Sequence, residues 1–330
     1  MEGKAAACPQ KADNLWVIDY EGLRDAMKAL VSEGFGLGQG PDAQELLRQL
    51  DHVSHLVVAT FQTPFLIEGG PEGRNPDAAF DADFQTGEAV ETSDTVQVWM
   101  IIPKETEEHQ QPFDVNVFGH GYTGNFLEPI LYAGNLAAQG LATVGLNAMG
   151  HGLVLGPAET LGAKATLAGA CYGPAFDALT AKRARDLDRD GEPDSDGDFW
   201  SSYLFHTHNA VRQSVLDHLQ LVRILRTFGE PGGMTCRDDA ASPAVVPCDP
   251  DGDGSPSLAG DFDGDGRPDL GGTKARYGTW GESLGGILSG IGGALDPHVA
   301  AAVPGSEGEG LTDIGLRSFQ DGVIEAVLLR

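Results

Sequence analysis

Basic side chains are scarce in this chain: 21 Lys and Arg stand against 49 Asp and Glu, a formal net charge of −28 at pH 7. Phosphate backbones and anionic bilayers attract basic surfaces, so the deficit excludes nucleic acid and acidic membranes as partners and points to cations. Long apolar runs are also missing. No stretch reaches the roughly 18 consecutive apolar residues that a membrane span requires, and Met1 to Cys8 has no apolar core of the kind a secretory leader carries. Cysteine is confined to Cys8, Cys171, Cys236 and Cys248, without any C-x-x-C spacing. That excludes zinc-ribbon and dithiol redox chemistry, and it leaves open whether Cys236 and Cys248 are bridged across a short loop or are free.

Glycine is plentiful, at 46 of 330 residues, and the chain is 41% hydrophobic, enough for a sizeable core in one large domain or two ordinary ones. One glycine pair has a specific setting. Gly281-Glu282-Ser283-Leu284-Gly285 follows a short β-prone segment, Ala275 to Trp280, and precedes a run of small and apolar residues, Leu284 to Gly290. A G-x-S-x-G turn between strand and helix forces strained angles on the serine and leaves no room for a Cβ at either glycine. It also sets the serine Oγ at a helix N-terminus, where backbone N–H groups favour the negative charge that acyl transfer develops. A second glycine-rich turn lies upstream, His120-Gly121-Tyr122-Thr123-Gly124, directly after the apolar strand Val115 to Phe118. Its Tyr122 N–H, with that of Leu284, forms a candidate oxyanion hole.

On these residues the chain resembles the α/β-hydrolase superfamily, in particular the bacterial extracellular lipases and esterases with an HG-type oxyanion turn. The resemblance spans roughly Phe113 to Asp313. It rests on HGYTG at His120 to Gly124, MGHG at Met149 to Gly152, the helix RQSVLDHLQLVRIL at Arg212 to Leu225, and GESLGG followed by LDPHVAAAVP at Leu295 to Pro304. It implies a mostly parallel sheet flanked by helices, with Ser283 as nucleophile and Tyr122 and Leu284 as the oxyanion hole.

The pattern along the chain agrees. Residues 1–52 read as a small helical lead-in, with helical spacing over Tyr20 to Ser32 and Asp42 to His52. Residues 53–330 read as the hydrolase domain. Ser54 to Phe61 and Thr95 to Ile102 are early antiparallel strands, and from Phe113 strand and helix alternate as in a parallel sheet. Two insertions interrupt it, at about 157–200 and 229–272; the first reads as loop-rich and acidic.

Both insertions carry the run D-x-D-x-D-G: Asp186, Asp188 and Asp190; Asp249, Asp251 and Asp253; Asp261, Asp263 and Asp265. Carboxylates at alternate positions converge on one hard cation, with glycine permitting the sharp turn. The glutamate that closes an EF-hand is missing, so the runs look like the compact calcium loops of dockerins or thrombospondin type 3 repeats. Asp194, Asp196 and Asp198 are the completing ligands of the first run, Asp261 of the second and Asp269 of the third. A structural Ca²⁺ is expected, because all-protein oxygen cages suit it better than Mg²⁺. A solvated acidic loop is the plainer alternative. Calcium loops of this kind, with a possible disulfide, place the protein outside the cell or on its surface.

A general base is what the sequence fails to offer. After Ser283 the single histidine is His298, too early for the loop that carries the base, and no acid among Glu307, Glu309, Asp313, Asp321 and Glu325 is singled out. Only Val323 to Leu329 remains to extend the sheet. The favoured reading is a C-terminally truncated piece of a longer hydrolase, lacking its last strands; the alternative is that an upstream histidine serves as base in an unusual arrangement. The expected function is a serine carboxylic-ester hydrolase, esterase or lipase, acting on a small-molecule or lipid ester through an acyl-enzyme on Ser283. The rival expectation is a calcium-stabilised extracellular binding module on a catalytically incomplete scaffold.

Overall fold

The computed structural model describes residues 15–169, 172–173, 175–186, 195–197, 199–230, 235–239, 242–247, 258–308, 310–318 and 323–329. Seven strands form its main sheet: β1 (Leu15–Asp19), β2 (Val53–Phe65), β3 (Thr92–Pro103), β4 (Asp114–Gly119), β5 (Leu141–Leu146), β6 (Tyr277–Glu282) and β7 (Val299–Gly305). Their spatial order is β1-β2-β3-β5-β4-β6-β7. The first three pair antiparallel, as does β3 with β5. From β5 onward the neighbours are parallel. The sheet is flanked by helices in the α/β-hydrolase-type arrangement that the sequence implies, but it is mixed rather than mostly parallel, with three antiparallel and three parallel pairings.

Alternation in β3 shows how the sheet is held. Val96, Val98, Met100 and Ile102 face one apolar cluster, while Trp99 and Ile101 face another, as a period of two requires. On the first side lies α6 (Leu204–Leu225), which presents Leu221, Val222 and Leu225 to the sheet. On the second lie α1 (Tyr20–Ala29), α2 (Pro41–Leu50) and α3 (Ile130–Ala137), through Leu23, Met27, Leu50 and Ile130 among others. Each fully buried side chain of this size is worth about 1.5–3 kcal/mol, so both helical layers are integral to the sheet. The serine helix α7 (Leu284–Leu295) packs on β6, β7 and α6. Strand β7 is an edge, and its Ala300 to Pro304 are exposed.

Three departures from the sequence reading have simple causes. The N-terminal segment is not helical throughout, since Leu15–Asp19 supplies a strand that pairs with β2. The first insertion is partly helical, with α4 (Pro157–Gly169) and α5 (Ala175–Leu179); α4 buries none of its residues, so no apolar stripe announces it. Val323–Leu329 is a helix, not a strand. Its short apolar run fits either element, and the buried pair Val323 and Val327 lies at the four-residue spacing of one helix face. It follows α8 (Leu311–Arg317), and the two complete the helices as α8 and α9.

Candidate active site

Ser283 occupies the turn between β6 and α7 with φ 56° and ψ −116°, a conformation that non-glycine residues adopt only where the surroundings enforce it. Three glycines do so. A Cβ at Gly281 or at Gly285 would collide with the carbonyl oxygen of Gly119 at the end of β4, and a Cβ at Gly119 would sit 2.8 Å from the Gly285 Cα. The strand that leads to the HGYTG turn and the serine turn thus touch through bare backbone. Ser283 N–H donates to the Gly305 carbonyl at 2.9 Å, tying the turn to β7. Leu284 opens the helix, where the first N–H groups have no intrahelical acceptor. Close by, Trp280 meets Phe118 and Tyr132 edge to face, with centroids 4.8 Å apart in each pair.

The HGYTG turn lies against this corner: a Cβ at Gly121 would be 3.9 Å from the Ser283 Cβ. Its peptide planes are fixed from within. The Gly121 carbonyl accepts from the Gly124 N–H at 3.0 Å and from His120 Nδ1 at 2.8 Å. His120 Nε2 accepts the Ala148 N–H at 2.9 Å, which assigns the neutral Nδ1-protonated tautomer. Because the Tyr122 N–H lies trans to the Gly121 carbonyl in one planar unit, these bonds orient the proposed oxyanion donor. Thr123 takes φ 67°, as the turn demands. The Tyr122 hydroxyl donates to the Asp196 carbonyl at 3.3 Å.

The histidines of the two glycine turns are each tied to backbone through Nδ1. Both nitrogens of His120 are engaged, and burial pushes its pKa down to about 4. His151, fully buried, donates from Nδ1 to the Met149 carbonyl at 3.0 Å and has Nε2 3.5 Å from Asp196 Oδ1. Burial, with His120 nearby, lowers it to about 3, while burial raises Asp196 to about 6. His120 has no nitrogen to spare for a serine, whereas His151 Nε2 makes no hydrogen bond. His298 stands at the β7 entrance, where its N–H caps the Asp296 side chain, and His218 is buried on α6.

Sequence reasoning missed a buried polar network at the same end of the sheet. Arg183 Nη1 donates to Asp217 at 2.6 Å and to the Asn147 carbonyl at 3.1 Å, while Nε and Nη2 reach Asp94 at 3.2 and 2.8 Å. Asp217 also accepts from Thr63 and Gln213 at 3.0 and 2.9 Å. The only hint in the sequence is the polar pair Gln213 and Asp217, four apart on an otherwise core-facing helix. Beside the network is a cavity of about 730 Å³, lined by Phe65, Ser93, Arg74, Met149, Arg183 and Asp186 among others.

Of the expected calcium ligands, Asp188, Asp190, Asp194, Asp198, Asp249, Asp251 and Asp253 lie outside the described residues, as does Cys248. Asp186 is buried at the cavity, 3.5 Å from Arg74. Asp196 turns inward to His151. The third run is gathered: carboxylate oxygens of Asp261, Asp263 and Asp265 lie within 4.8 Å of one another. Asp261 accepts the N–H groups of Gly264 and Gly266 at 2.8 and 2.9 Å, a turn that the positive φ of both glycines permits. Asp269 is fully buried, accepting from Phe262 N–H at 2.7 Å and Gln111 Nε2 at 2.6 Å. Burial, with the three neighbouring aspartates, raises it to about 7. Arg267, unforeseen, bridges Asp265 and Glu105. An all-oxygen, carboxylate-rich donor set of this kind fits a hard divalent cation.

No protein-family model and no curated protein sequence matches the chain. Among solved structures, an acetyl xylan esterase from Paenibacillus sp. R4 aligns over 90% of this chain and 61% of its own, at 17% identity and a TM-score of 0.33. A ferulic acid esterase from Streptomyces cinnamoneus aligns over 75% and 58%, at 12% identity and 0.31. A lipase in its open form aligns over 73% and 41%, at 14% identity and 0.29. The chain therefore spans about two fifths to three fifths of the length of these proteins. Among the described residues no helix is long and apolar enough to cross a membrane. Esterases and lipases are among the solved structures that this chain is similar to.

Proposed function

We propose that the chain is a serine carboxylic-ester hydrolase. The observation that carries this reading is Ser283 itself, held at a strained φ of 56° at the N-terminus of α7, with the HGYTG turn packed beside it. Ser283 Oγ attacks the ester carbonyl while a base takes its proton. The N–H groups of Tyr122 and Leu284 hold the oxyanion, and the alkoxide leaves with the proton to give the acyl-serine, which water then hydrolyses. The base is not His120, both of whose ring nitrogens are engaged.

Reaction with a fluorophosphonate tests the reading. One adduct is expected on Ser283, and none on the Ser283→Ala variant. A folded chain that stays unlabelled would overturn it and favour a binding module on a hydrolase scaffold.

Calcium is part of the same proposal. Asp261, Asp263 and Asp265 would hold the ion, with Asp269 bracing the loop from beneath, and the ion would neutralise carboxylates that otherwise repel. Its role is structural. Calcium in large excess over its dissociation constant is expected to stabilise the fold by roughly 2–3 kcal/mol, raising Tm by a few degrees relative to chelator, and Asp263→Asn should blunt the shift. An identical Tm with calcium and chelator would remove the ion from the proposal. Loops of this ligand type suit the millimolar calcium found outside cells, which favours an exported protein.

A further inference from the structure

Gly121 is held on both sides. Its carbonyl is fixed by His120 and Gly124, and its N–H points to a side chain seven residues further on: Glu128 Oε2 accepts it at 3.1 Å. Glu128 is placed to do this. It lies in the short segment before α3, whose Phe126 N–H donates to Asn147 Oδ1 at 2.8 Å and whose Glu128 N–H donates to the Asn125 carbonyl at 3.0 Å. Phe126 is fully buried and Leu127 nearly so, so the backbone under Glu128 cannot drift. Gly124 matches it, because a Cβ there would strike Glu128 Oε2. The carboxylate thus fills the hollow of the turn rather than lying on its surface.

This is a costly place for an acid. Glu128 is half-buried, with Glu282 as a like-charged neighbour, and both effects push its pKa up. Nothing in the packing of α3 requires a carboxylate there. What it supplies is an acceptor for the one N–H of the turn that adjoins the oxyanion peptide. With that N–H engaged the His120–Gly121 plane is held, and with the Gly121 carbonyl bonded in the next plane, which carries the Tyr122 N–H, the two soft dihedrals of Gly121 between them are fixed from both sides.

We propose that Glu128 is a positioning residue for the oxyanion turn, holding the Gly121 N–H so that the Tyr122 N–H is aimed at the Ser283 oxyanion. The inference rests on the serine-hydrolase reading for its function, but the contact is testable without it. Two measurements separate these. In the first, amide hydrogen exchange at Gly121 is compared in wild type, Glu128→Ala and Glu128→Gln. The Ala variant is expected to exchange about tenfold faster at this amide, with Tm and exchange elsewhere little changed, whereas Gln retains an acceptor and keeps the protection. In the second, phosphonylation of Ser283 by a fluorophosphonate is resolved into a limiting rate and a half-saturating concentration. Glu128→Ala should lower the limiting rate roughly ten- to a hundredfold, with the half-saturating concentration within about twofold, and Gln should restore most of it. A merely structural role would not give that split or that rescue. Equal Gly121 exchange in wild type and Ala variant overturns the proposal, and so does an unchanged limiting rate. If wild-type Ser283 is not labelled at all, the serine-hydrolase reading fails, and the exchange measurement alone decides whether Glu128 holds the turn.

Discussion

Arg183→Met is expected to destabilise the fold by about 3–5 kcal/mol, the range for removing one partner of a buried charge cluster. The guanidinium is almost fully buried between Asp94, 14% exposed in its side chain, and Asp217, which is not exposed at all. Methionine fills much of the same volume, so packing loss is small and the effect comes from stranding two carboxylates. Asp217 would keep its bonds from Thr63 and Gln213; Asp94 would lose both of its bonds from Arg183. Arg183 also donates to the Asn147 carbonyl, one residue before the Ala148 N–H that anchors His120. Reactivity at Ser283 should therefore fall along with stability. Urea unfolding monitored by far-ultraviolet circular dichroism gives the difference. Asp217→Asn in the Arg183→Met background should recover part of the loss, because a neutral amide tolerates burial better than an unpaired carboxylate. A loss below about 1 kcal/mol in the single variant would show that the cluster is solvated or rearranges, and the account of this end of the sheet would be wrong.

How much of this was legible in the sequence follows from the range of each constraint. The serine turn could be read because its geometry is local: five residues fix the angle, and two glycines record the collision that a Cβ would make. The third glycine of that collision, Gly119, was visible only as part of an apolar strand, since its contact with Gly285 joins segments some 160 residues apart. Strands β4 and β5 and helix α6 were readable because period and length agree with their burial. Val323–Leu329 was not, because a seven-residue run that is apolar apart from Glu325 satisfies strand and helix alike and only packing against a particular face decides. Glu128 and Arg183 escaped for a different reason. A lone acid before a proline and a basic residue in a Lys-Arg-Ala-Arg stretch look like solvated surface, and nothing in a sequence says that a loop folds inward to bury them. The aspartate runs were legible as a pattern, and the third is gathered as the pattern requires. Arg267, which competes with a cation for Asp265, was not foreseen.

Acid should unfold this protein early, although its many carboxylates would suggest otherwise. Three buried imidazoles set the sign. Burial lowers His120 to about 4 and His151 and His218 to about 3, each well under the ordinary 6.5. A depressed histidine stabilises the fold above its unfolded value and loses that contribution as pH falls, since the unfolded chain takes up the proton that the folded one refuses. At about 1.4 kcal/mol per unit, each gives up roughly 2 kcal/mol between pH 6.5 and pH 5. Asp196, raised to about 6, and Asp269, raised to about 7, act the other way and return part of the loss, because a raised carboxylate takes its proton first in the folded state. The decisive comparison is therefore between wild type and His218→Leu, which removes one imidazole from the core without touching the two turns. Urea unfolding at pH 7.5 and pH 5 should show the variant losing about 2 kcal/mol less than wild type over this interval. Equal losses in the two proteins would mean that His218 is hydrated in the folded state and that burial does not set its titration.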